Sequence, residues 1–372
     1  MRSTVAYLSS NHLLHNLQII KQTTNNAKII AMVKANAYGH GLRSVALKLE
    51  KHINFLGVAS IDEALQLRKV GISIPIILME GIFEAQELPI ALENNFPIIL
   101  HIKHQINWLM DAINNKLLAK PINIWIKIDT GMGRLGFNLE EGREIYNLLA
   151  ENSYVVKPVG IMTHFASADD VDHPLNLKQI NNFKNFIKSL NLNNHKNYNN
   201  KIISSICNSA AIFNFPEQHY EVVRPGIALY GGSPIKDKSA KDLNLKPVMT
   251  LKTKIIAIKN LPQGSSVGYG GRFICPCDLK VAVIGIGYGD GYPRSAIDGT
   301  PVLINNHKCR IIGRISMDMT VVDLTNCLDA KIGDDVILWG DNLPIEKIVK
   351  FTQNSAYDIL TAVQNRVKFV WE

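Results

Sequence analysis

The fold is decided by short apolar runs such as Ile29-Ile30-Ala31-Met32-Val33, in which no polar residue interrupts the chain. A run that is apolar on both faces is typical of a strand in a parallel sheet covered by helices on both sides. Similar runs recur through roughly the first 230 residues. They lie at 55–58, 75–79, 97–100, 122–128, 159–162, 202–206 and 220–223. We therefore predict a sheet of parallel strands, one for each run.

Helical patterns occupy the segments between these runs. Ser60-Ile61-Asp62-Glu63 is a capping box that opens a predicted helix ending at Gly71, and a second helical pattern covers 175–190. The strands and helices alternate without a G-x-G-x-x-G motif after the first strand. This arrangement favours an α/β fold of the closed (β/α)8 TIM-type barrel class, and an open doubly wound sheet is the alternative.

The second part of the chain has a different pattern. A polar linker at 236–242 is followed by closely spaced strand-like runs and by one predicted helix at 344–352. The runs lie at 248–258, 279–286, 301–304, 310–315, 320–324 and 335–338. This spacing predicts a mostly β domain. We expect a barrel domain over 1–238 and a mostly β domain over 239–372.

Composition excludes several classes of protein. Of 372 residues, 47% are apolar and 19% are charged, which is enough apolar mass to exclude wholesale disorder. No apolar run reaches the roughly 18–20 residues that span a bilayer, and the N-terminus lacks the apolar stretch of a signal peptide. We therefore expect a cytoplasmic protein with no membrane partner.

Charge and cysteine content point away from nucleic acids, disulfides and metals. The net charge of +8 comes from scattered basic residues, so we expect no nucleic-acid partner. The five cysteines are odd in number and dispersed, and Cys275-Pro276-Cys277 alone is a weak metal motif, so we predict neither a disulfide framework nor a metal site. The asparagine-rich segment 191–200 is predicted to be a solvated loop.

Reactive residues follow the ends of the predicted strands, where barrel enzymes place their sites. Lys34 directly follows the first run, and a partly desolvated amine there could form a Schiff base; the alternative is a lysine that reaches water at the barrel rim. The fifth run leads into the glycine-rich stretch 127–136, in which Arg134 could clamp a carboxylate. His164 follows the sixth run, either as a functional residue or as part of the core.

The last two strand ends suggest a phosphate site. Ser209 follows the seventh run, and Arg224-Pro225-Gly226-Ile227 follows the eighth. The loops after these two strands commonly hold phosphate in barrels, and the Ser209 hydroxyl with the N–H groups of Gly226 and Ile227 would suit a phosphate monoester. A Schiff-base lysine and a phosphate cup in one barrel mouth together suggest pyridoxal 5'-phosphate.

The alanine racemase family has a cofactor-binding signature closely similar to Ala31-Met32-Val33-Lys34-Ala35-Asn36-Ala37-Tyr38-Gly39-His40-Gly41. Further matching motifs cover nearly the whole chain, at 129–136, 224–227, 267–270, 287–294 and 313–318. The resemblance implies a barrel followed by a β domain. It also implies a head-to-tail homodimer with shared active sites, in which the second domain of one chain caps the barrel of the other.

The resemblance also implies roles for single residues. Lys34 would carry the cofactor and act as one acid/base group, and Tyr269, supplied by the partner chain, would be the other. Arg224 would face the pyridine nitrogen, with His164 as its hydrogen-bonded neighbour. The implied phosphate ligands are Tyr38, Ser209, Gly226 and Ile227.

Other matched positions surround the substrate. Arg134 and the backbone of Met317 match contacts to the substrate carboxylate and its surroundings. Lys127 matches a lysine that is carbamylated in some members, and the alternative is an ordinary ion-paired lysine. Tyr288 matches a residue that narrows the entrance, and Asp318 is expected to support the site from the motif that contains Met317.

The implied reaction is the interconversion of L-alanine and D-alanine, which supplies D-alanine for peptidoglycan. Moving a proton between two faces requires two acid/base groups, and a lysine and a tyrosine from different domains can provide them. Arg224 cannot accept a proton, so a guanidinium at the pyridine nitrogen should weaken the electron sink and suppress side reactions.

Three other functions remain open at this point. A racemase of broader specificity, for example for serine, is one alternative. The second is a diamino-acid decarboxylase with the same fold, although such enzymes carry an acidic residue where Arg224 stands. The third is a non-catalytic pyridoxal phosphate carrier, although these lack the β domain. One departure from the family is expected at Asn365, where some members have a tyrosine that touches the phosphate.

Overall fold

The computed structural model describes residues 3–25, 27–190 and 202–372. The asparagine-rich segment predicted as a solvated loop lies outside the described residues. The described chain contains two large sheets, one parallel and one mostly antiparallel. The first strand of the chain is β1 (Val5–Leu8), and it belongs to the second of these sheets.

The predicted parallel barrel is confirmed. Its strands are β2 (Lys28–Met32), β3 (Phe55–Val58), β4 (Ile76–Leu78), β5 (Ile98–Leu100), β6 (Ile124–Lys127), β7 (Gly160–Met162), β8 (Ile203–Ser205) and β9 (Val222–Val223). They pair in chain order, and β9 pairs with β2. The remaining gap is closed by a parallel bridge between Asn208 and Arg224, in which the Arg224 N–H donates to the Cys207 carbonyl at 2.9 Å.

Helices surround the barrel and complete the β domain. They are α1 (Ser10–Thr23), α2 (Lys34–Gly39), α3 (Leu42–Leu49), α4 (Ile61–Lys69), α5 (Glu87–Glu93), α6 (Lys103–Asn114), α7 (Leu139–Glu151), α8 (Pro174–Ser189), α9 (Ser209–Asn214), α10 (Ile345–Val349) and α11 (Ala356–Thr361). As predicted, Ser60 caps α4 and its hydroxyl accepts from the Glu63 N–H. The Glu63 carboxylate accepts from the Ala59 and Ala35 N–H groups, so it links α4 to the segment after β2.

The mostly β domain is also confirmed, with one addition that the sequence did not indicate. Its later strands are β10 (Met249–Leu261), β11 (Ser266–Val267), β12 (Phe273–Ile274), β13 (Leu279–Ile284), β14 (Pro301–Ile304), β15 (His307–Ile312), β16 (Thr320–Asp323), β17 (Asp335–Trp339) and β18 (Lys368–Trp371). The strand β1 lies between β10 and β18, antiparallel to the former and parallel to the latter. Ala6 and Leu8 are fully buried in this domain's core. The predicted boundary after residue 238 assigned these residues to the barrel domain. A four-residue strand gives no indication in its sequence that its partner strands lie so far along the chain.

The segment α2 turns in the left-handed sense. Residues 35–38 all have φ between 52° and 54°, a region that costs about 1–2 kcal/mol for each L-residue. Hydrogen bonds from three directions hold it. The ring of His40 bonds to the Tyr38 carbonyl at 2.8 Å through Nδ1, the Ala35 N–H donates to Glu63, and Asn36 Oδ1 accepts from the Leu42 N–H.

The left-handed segment joins the two domains. The Tyr38 ring lies between Tyr230, with ring centroids 5.0 Å apart, and Tyr357 of α11, at 6.0 Å. Gly39 approaches α11 so closely that a Cβ atom would lie 2.9 Å from the Leu360 carbonyl carbon and would also collide with its oxygen. Glycine is required at this position by both its φ of 81° and this contact.

Substitution of Gly39 tests the contact between the domains. Gly39→Ala should lower the free energy of unfolding by about 2–5 kcal/mol, because a strained φ is combined with a steric clash against backbone. Gly41→Ala is the matched control, since Gly41 has a φ of 95° but open space around its Cβ position. We expect it to cost only about 1–2 kcal/mol. Denaturant unfolding at one protein concentration measures both, and equal losses would contradict the proposed clash.

Candidate active site

A cavity of about 380 Å³ opens at the carboxyl ends of the barrel strands. Its lining residues are Met32, Lys34, Tyr38, Met79, Glu80, Lys127, Arg134, Leu135, His164, Asn208, Ser209, Arg224, Gly226, Ile227 and Tyr357. Every site residue that we predicted in the barrel domain belongs to this lining. The structure therefore brings these residues together, and their individual roles remain predictions.

The guanidinium of Arg224 is the most constrained group in the cavity. It is 3% exposed and donates to Ser205 Oγ at 2.5 Å, to the Thr163 carbonyl at 2.6 Å and to the Ile206 carbonyl at 3.2 Å. Burial lowers its pKa to about 10, so it stays charged at neutral pH. The result is a fixed planar cation that can donate hydrogen bonds but cannot accept a proton.

His164 lies beside this cation as a neutral ring. Burial and, secondarily, the charge of Arg224 lower its pKa well below the ordinary value. Its Nδ1 atom lies 3.2 Å from Arg224 Nη2, which can only donate. Nδ1 therefore accepts, and the single proton of the neutral ring is on Nε2.

A cup of donors and small residues lies on another wall. Ser209 Oγ accepts from the Gly226 N–H at 2.7 Å, and Asn208 caps the helix α9 through its side chain. The Tyr38 hydroxyl is packed against Gly226, where a Cβ atom would lie 2.9 Å from Tyr38 Cζ. Burial raises the pKa of Tyr38 to about 12, so its hydroxyl is a donor at neutral pH. Hydroxyl and backbone N–H groups in this arrangement suit a phosphate.

Lys34 is less buried than a desolvated nucleophile would require. Its side chain is 36% exposed, and its Nζ atom lies 3.3 Å from Glu80 Oε1. Lys127, by contrast, is only 8% exposed. Burial lowers the pKa of Lys127 to about 8, and repulsion from Arg224 and Arg134 acts in the same direction. A lysine with a pKa this low has an appreciable uncharged fraction near neutral pH, which is the form that reacts with CO2, so the structure is compatible with either state of Lys127 that the sequence analysis left open.

The glycine-rich loop after β6 positions Arg134. The Asp129 carboxylate accepts backbone N–H groups from Gly131 and Met132 at 2.9 Å and from Gly133 at 3.0 Å. Arg134 follows directly and contributes to the cavity lining. The loop that folds around the Asp129 carboxylate therefore holds the Arg134 guanidinium at the mouth of the cavity. There it could bind the carboxylate of an incoming substrate.

The predicted residues of the β domain are outside the cavity of their own chain. Tyr269 is 69% exposed, and Tyr288 and Met317 are also exposed. Tyr288 and Met317 lie on adjoining loops, since the Gly289 N–H donates to the Met317 carbonyl at 2.8 Å, and Gly268, next to Tyr269, packs against the backbone of Arg314. Asp318 forms an ion pair with Arg366 at the base of these loops.

Glu80 and Tyr357 are among the lining residues that the sequence analysis did not predict. Glu80 stands one residue beyond a predicted strand run, the same signal that identified Lys34, and should have been found. Tyr357 lies in the β domain and reaches the cavity only through the packing of α11 on α2. The expectation for Asn365 is wrong, because this residue is exposed and does not line the cavity, whereas Tyr357 does.

The described residues form neither a membrane-spanning helix nor a metal cluster nor a disulfide. No helix in these ranges has the length and apolar character needed to cross a membrane. Nor do the described ranges contain a group of three or more histidine, cysteine or acidic side chains that could hold a metal ion. All five cysteines are free, with Cys277 exposed and the other four buried.

Comparison with known proteins identifies the family. The models for the alanine racemase N-terminal domain and C-terminal domain match residues 8–234 and 248–371. The chain belongs to the alanine racemase family. It is 43% identical to the alanine racemase of Haemophilus influenzae over 367 residues, which cover 99% of this chain and 98% of that protein. It is also 43% identical to that of Coxiella burnetii over 379 residues, covering 100% and 99%.

Solved structures of the family have the same fold. The biosynthetic alanine racemase of Pseudomonas aeruginosa superimposes with a TM-score of 0.94 at 35% identity, and both chains are covered completely. The alanine racemase of Bartonella henselae, solved with covalently bound pyridoxal phosphate, gives a TM-score of 0.86 at 30% identity, again with complete coverage of both chains. The barrel and β domain thus have the arrangement of this family.

The lowered pKa of Lys127 predicts a pH-dependent stability difference. Below about pH 8 both the folded and unfolded states hold the proton, and the burial penalty is fully present. Between this value and the ordinary lysine pKa near 10.5, only the unfolded state holds it, so stability rises with pH. At pH 7 the free energy of unfolding of Lys127→Met should therefore be about 3 kcal/mol higher than that of the wild type.

The advantage of Lys127→Met should shrink as the pH rises from 8 to about 10.5. Denaturant unfolding in CO2-free buffer measures this, because the amine then stays unmodified. Lys69→Met is the control, since Lys69 is exposed and should show no such trend. A difference between wild type and Lys127→Met that stays constant across this range would contradict the assigned burial effect.

Proposed function

We propose that this chain interconverts L-alanine and D-alanine, using pyridoxal 5'-phosphate held in the barrel cavity. One observation carries the proposal: the cavity combines the Lys34 amine, the donor cup of Tyr38, Ser209 and Gly226, and the buried Arg224 cation. The family relationship supports it, and a relative of the same fold holds pyridoxal phosphate covalently.

The residues present fit this cofactor. The cup offers the Tyr38 and Ser209 hydroxyls as donors for a phosphate, and Gly226 has no side chain that would displace the Tyr38 hydroxyl from it. Lys34 offers a primary amine for covalent attachment, and Arg224 offers a donor toward a ring nitrogen. When bound, the cofactor supplies an electron sink that makes the α-proton of an amino acid acidic.

The protein contributes orientation and proton transfer. Arg134 would pair with the substrate carboxylate and so fix the α-carbon in the cavity. Lys34 would hold or release a proton on one face through its Nζ atom. Arg224 would donate a hydrogen bond to the ring nitrogen and could not accept a proton from it. The electron sink would therefore be weaker, which favours proton exchange over side reactions. The backbone of Met317 from a partner subunit would border the carboxylate site.

The second acid/base group is proposed to be Tyr269 of the partner subunit in a homodimer with shared sites. The tyrosines of the cavity itself, Tyr38 and Tyr357, have pKa values raised by burial and are poor bases. Tyr269, Tyr288 and Met317 are all exposed, and the loop of Tyr269 packs through Gly268 against Arg314, three residues before Met317. A cluster of large exposed side chains is typical of an interaction surface. Tyr288 would narrow the entrance there, and Asp318 would support it through Arg366.

The substrate range and the setting remain predictions. The family relationship supports a cytoplasmic location and a role in supplying D-alanine for peptidoglycan. Neither the broader-specificity racemase nor the diamino-acid decarboxylase is favoured by a specific observation. Arg224 argues against the decarboxylase, because its guanidinium stands where those enzymes carry an acid.

The activity is tested directly with purified protein and pyridoxal phosphate. Incubation with L-alanine should yield D-alanine, measured by chiral chromatography. Lys34→Ala should abolish the reaction, and borohydride reduction followed by mass spectrometry should show cofactor attached to wild type and not to this variant. L-Serine in parallel reports the breadth of specificity. Carbon dioxide release from lysine without D-alanine formation would overturn the proposal in favour of a decarboxylase.

The shared site is tested by mixing two inactive variants. Lys34→Ala and Tyr269→Ala dimers should each be inactive, and subunit exchange should create one complete site per mixed dimer. Recovery should stay below about half of wild-type activity, because the other site lacks both groups. Tyr269→Ala alone should still exchange the α-proton of one enantiomer with solvent deuterium. No recovery despite demonstrated exchange of subunits would place both groups on one chain.

A further inference from the structure

We propose that Glu80 is a positioning residue that holds the Lys34 amine whenever that amine is not covalently engaged. The proposal rests on the function proposed above, in which Lys34 alternates between attachment and proton transfer. Its basis is the contact between Glu80 Oε1 and Lys34 Nζ at 3.3 Å inside the cavity.

The charge pattern of the cavity makes this carboxylate unexpected. The charged side chains that line it, within the described residues, are the cations of Lys34, Lys127, Arg134 and Arg224 and the single carboxylate of Glu80. A phosphate and a substrate carboxylate are both anions, and a negative charge beside them opposes their binding. Glu80 therefore does not serve anion binding, and its nearest charged partner, Lys34, is the group that it serves.

The backbone of Glu80 is fixed by a neighbouring loop. Its carbonyl oxygen accepts from His101 Nε2 at 3.0 Å, and Gln105 Nε2 approaches the same oxygen at 3.5 Å. Gln105 also accepts from the His101 N–H and donates to the Ile82 carbonyl, each at 3.0 Å. Burial lowers the pKa of His101, so its ring is neutral and donates through Nε2. This network fixes the backbone of the segment after β4, and with it the point from which the Glu80 side chain reaches Lys34.

The contact gives the amine a defined position. A lysine side chain has four rotatable bonds, and an unanchored amine at the cavity rim would sample many positions. A hydrogen bond to Glu80 keeps Nζ at the strand end from which it must reach the α-carbon. The rate of proton transfer falls steeply when the base is misplaced. Loss of this anchoring should therefore slow proton transfer on the face of the substrate that Lys34 serves.

The experiment compares Glu80→Gln, which removes the charge, with Glu80→Asp, which keeps it. Glu84→Gln is the matched control, because Glu84 lies on the same loop and is exposed. Full-length proteins freed of pyridoxal phosphate are acylated with an amine reagent, and mass spectrometry compares the Lys34 and Lys69 peptides. Loss of the ion pair should expose the amine and raise Lys34 labelling about 1.5- to 5-fold in Glu80→Gln. Glu80→Asp should stay closer to wild type, and Glu84→Gln should not change.

A second readout separates positioning from a general structural role. In Glu80→Gln with cofactor, solvent deuterium exchange should slow for the enantiomer whose exchange survives Tyr269→Ala, and should be unaffected for the other. Labelling unchanged in Glu80→Gln, or exchange reduced equally for both enantiomers, would overturn the proposal. If wild type exchanges neither enantiomer, the proposed function fails, whereas the labelling still decides whether Glu80 holds Lys34.

Discussion

The buried guanidinium of Arg224 is the interaction on which the barrel and the site both depend. Its backbone N–H closes the sheet by bonding to Cys207, and its side chain bonds to oxygens at the ends of β7 and β8. Removing a cation from water is costly unless hydrogen bonds replace the lost hydration, and here several oxygens provide them. The strand ends are thereby held at fixed separations. The contact with Arg224 also fixes the tautomer of His164. The residue that closes the barrel thus determines which nitrogen of this ring carries the proton.

Much of this architecture could be predicted because its cause is local. A strand buried on both faces needs consecutive apolar residues, and all eight runs coincide with observed strands to within about three residues. The barrel part of the site followed from the same pattern, since residues after strand ends meet at one rim. The four residues of β1 could not be placed, because their partners are β10 and β18. Tyr357 was missed for a similar reason, since only the packing of α11 on α2 brings it to the cavity.

The left-handed segment after β2 shows where local preference is overruled. Two alanines, an asparagine and a tyrosine adopt dihedral angles that each L-residue disfavours. No propensity would indicate this conformation. It is maintained by His40, by the Glu63 carboxylate and by the contact of Gly39 with α11. The strain serves a purpose, because it places Lys34 and Tyr38 at opposite ends of one short turn, both facing the cavity.

The position of β1 has a consequence for how the chain reaches its native state. The strand precedes the whole barrel along the chain, yet it lies between β10 and β18, which follow the barrel, so it is synthesised well before either neighbour. The barrel can assemble from units that are neighbours along the chain, whereas the β domain needs both β1, which precedes the barrel sequence, and strands that follow it. Such long-range pairing slows folding and leaves strand edges unpaired in the interval. β1 therefore stays without its sheet partners while the barrel strands are being synthesised, until β10 and β18 follow.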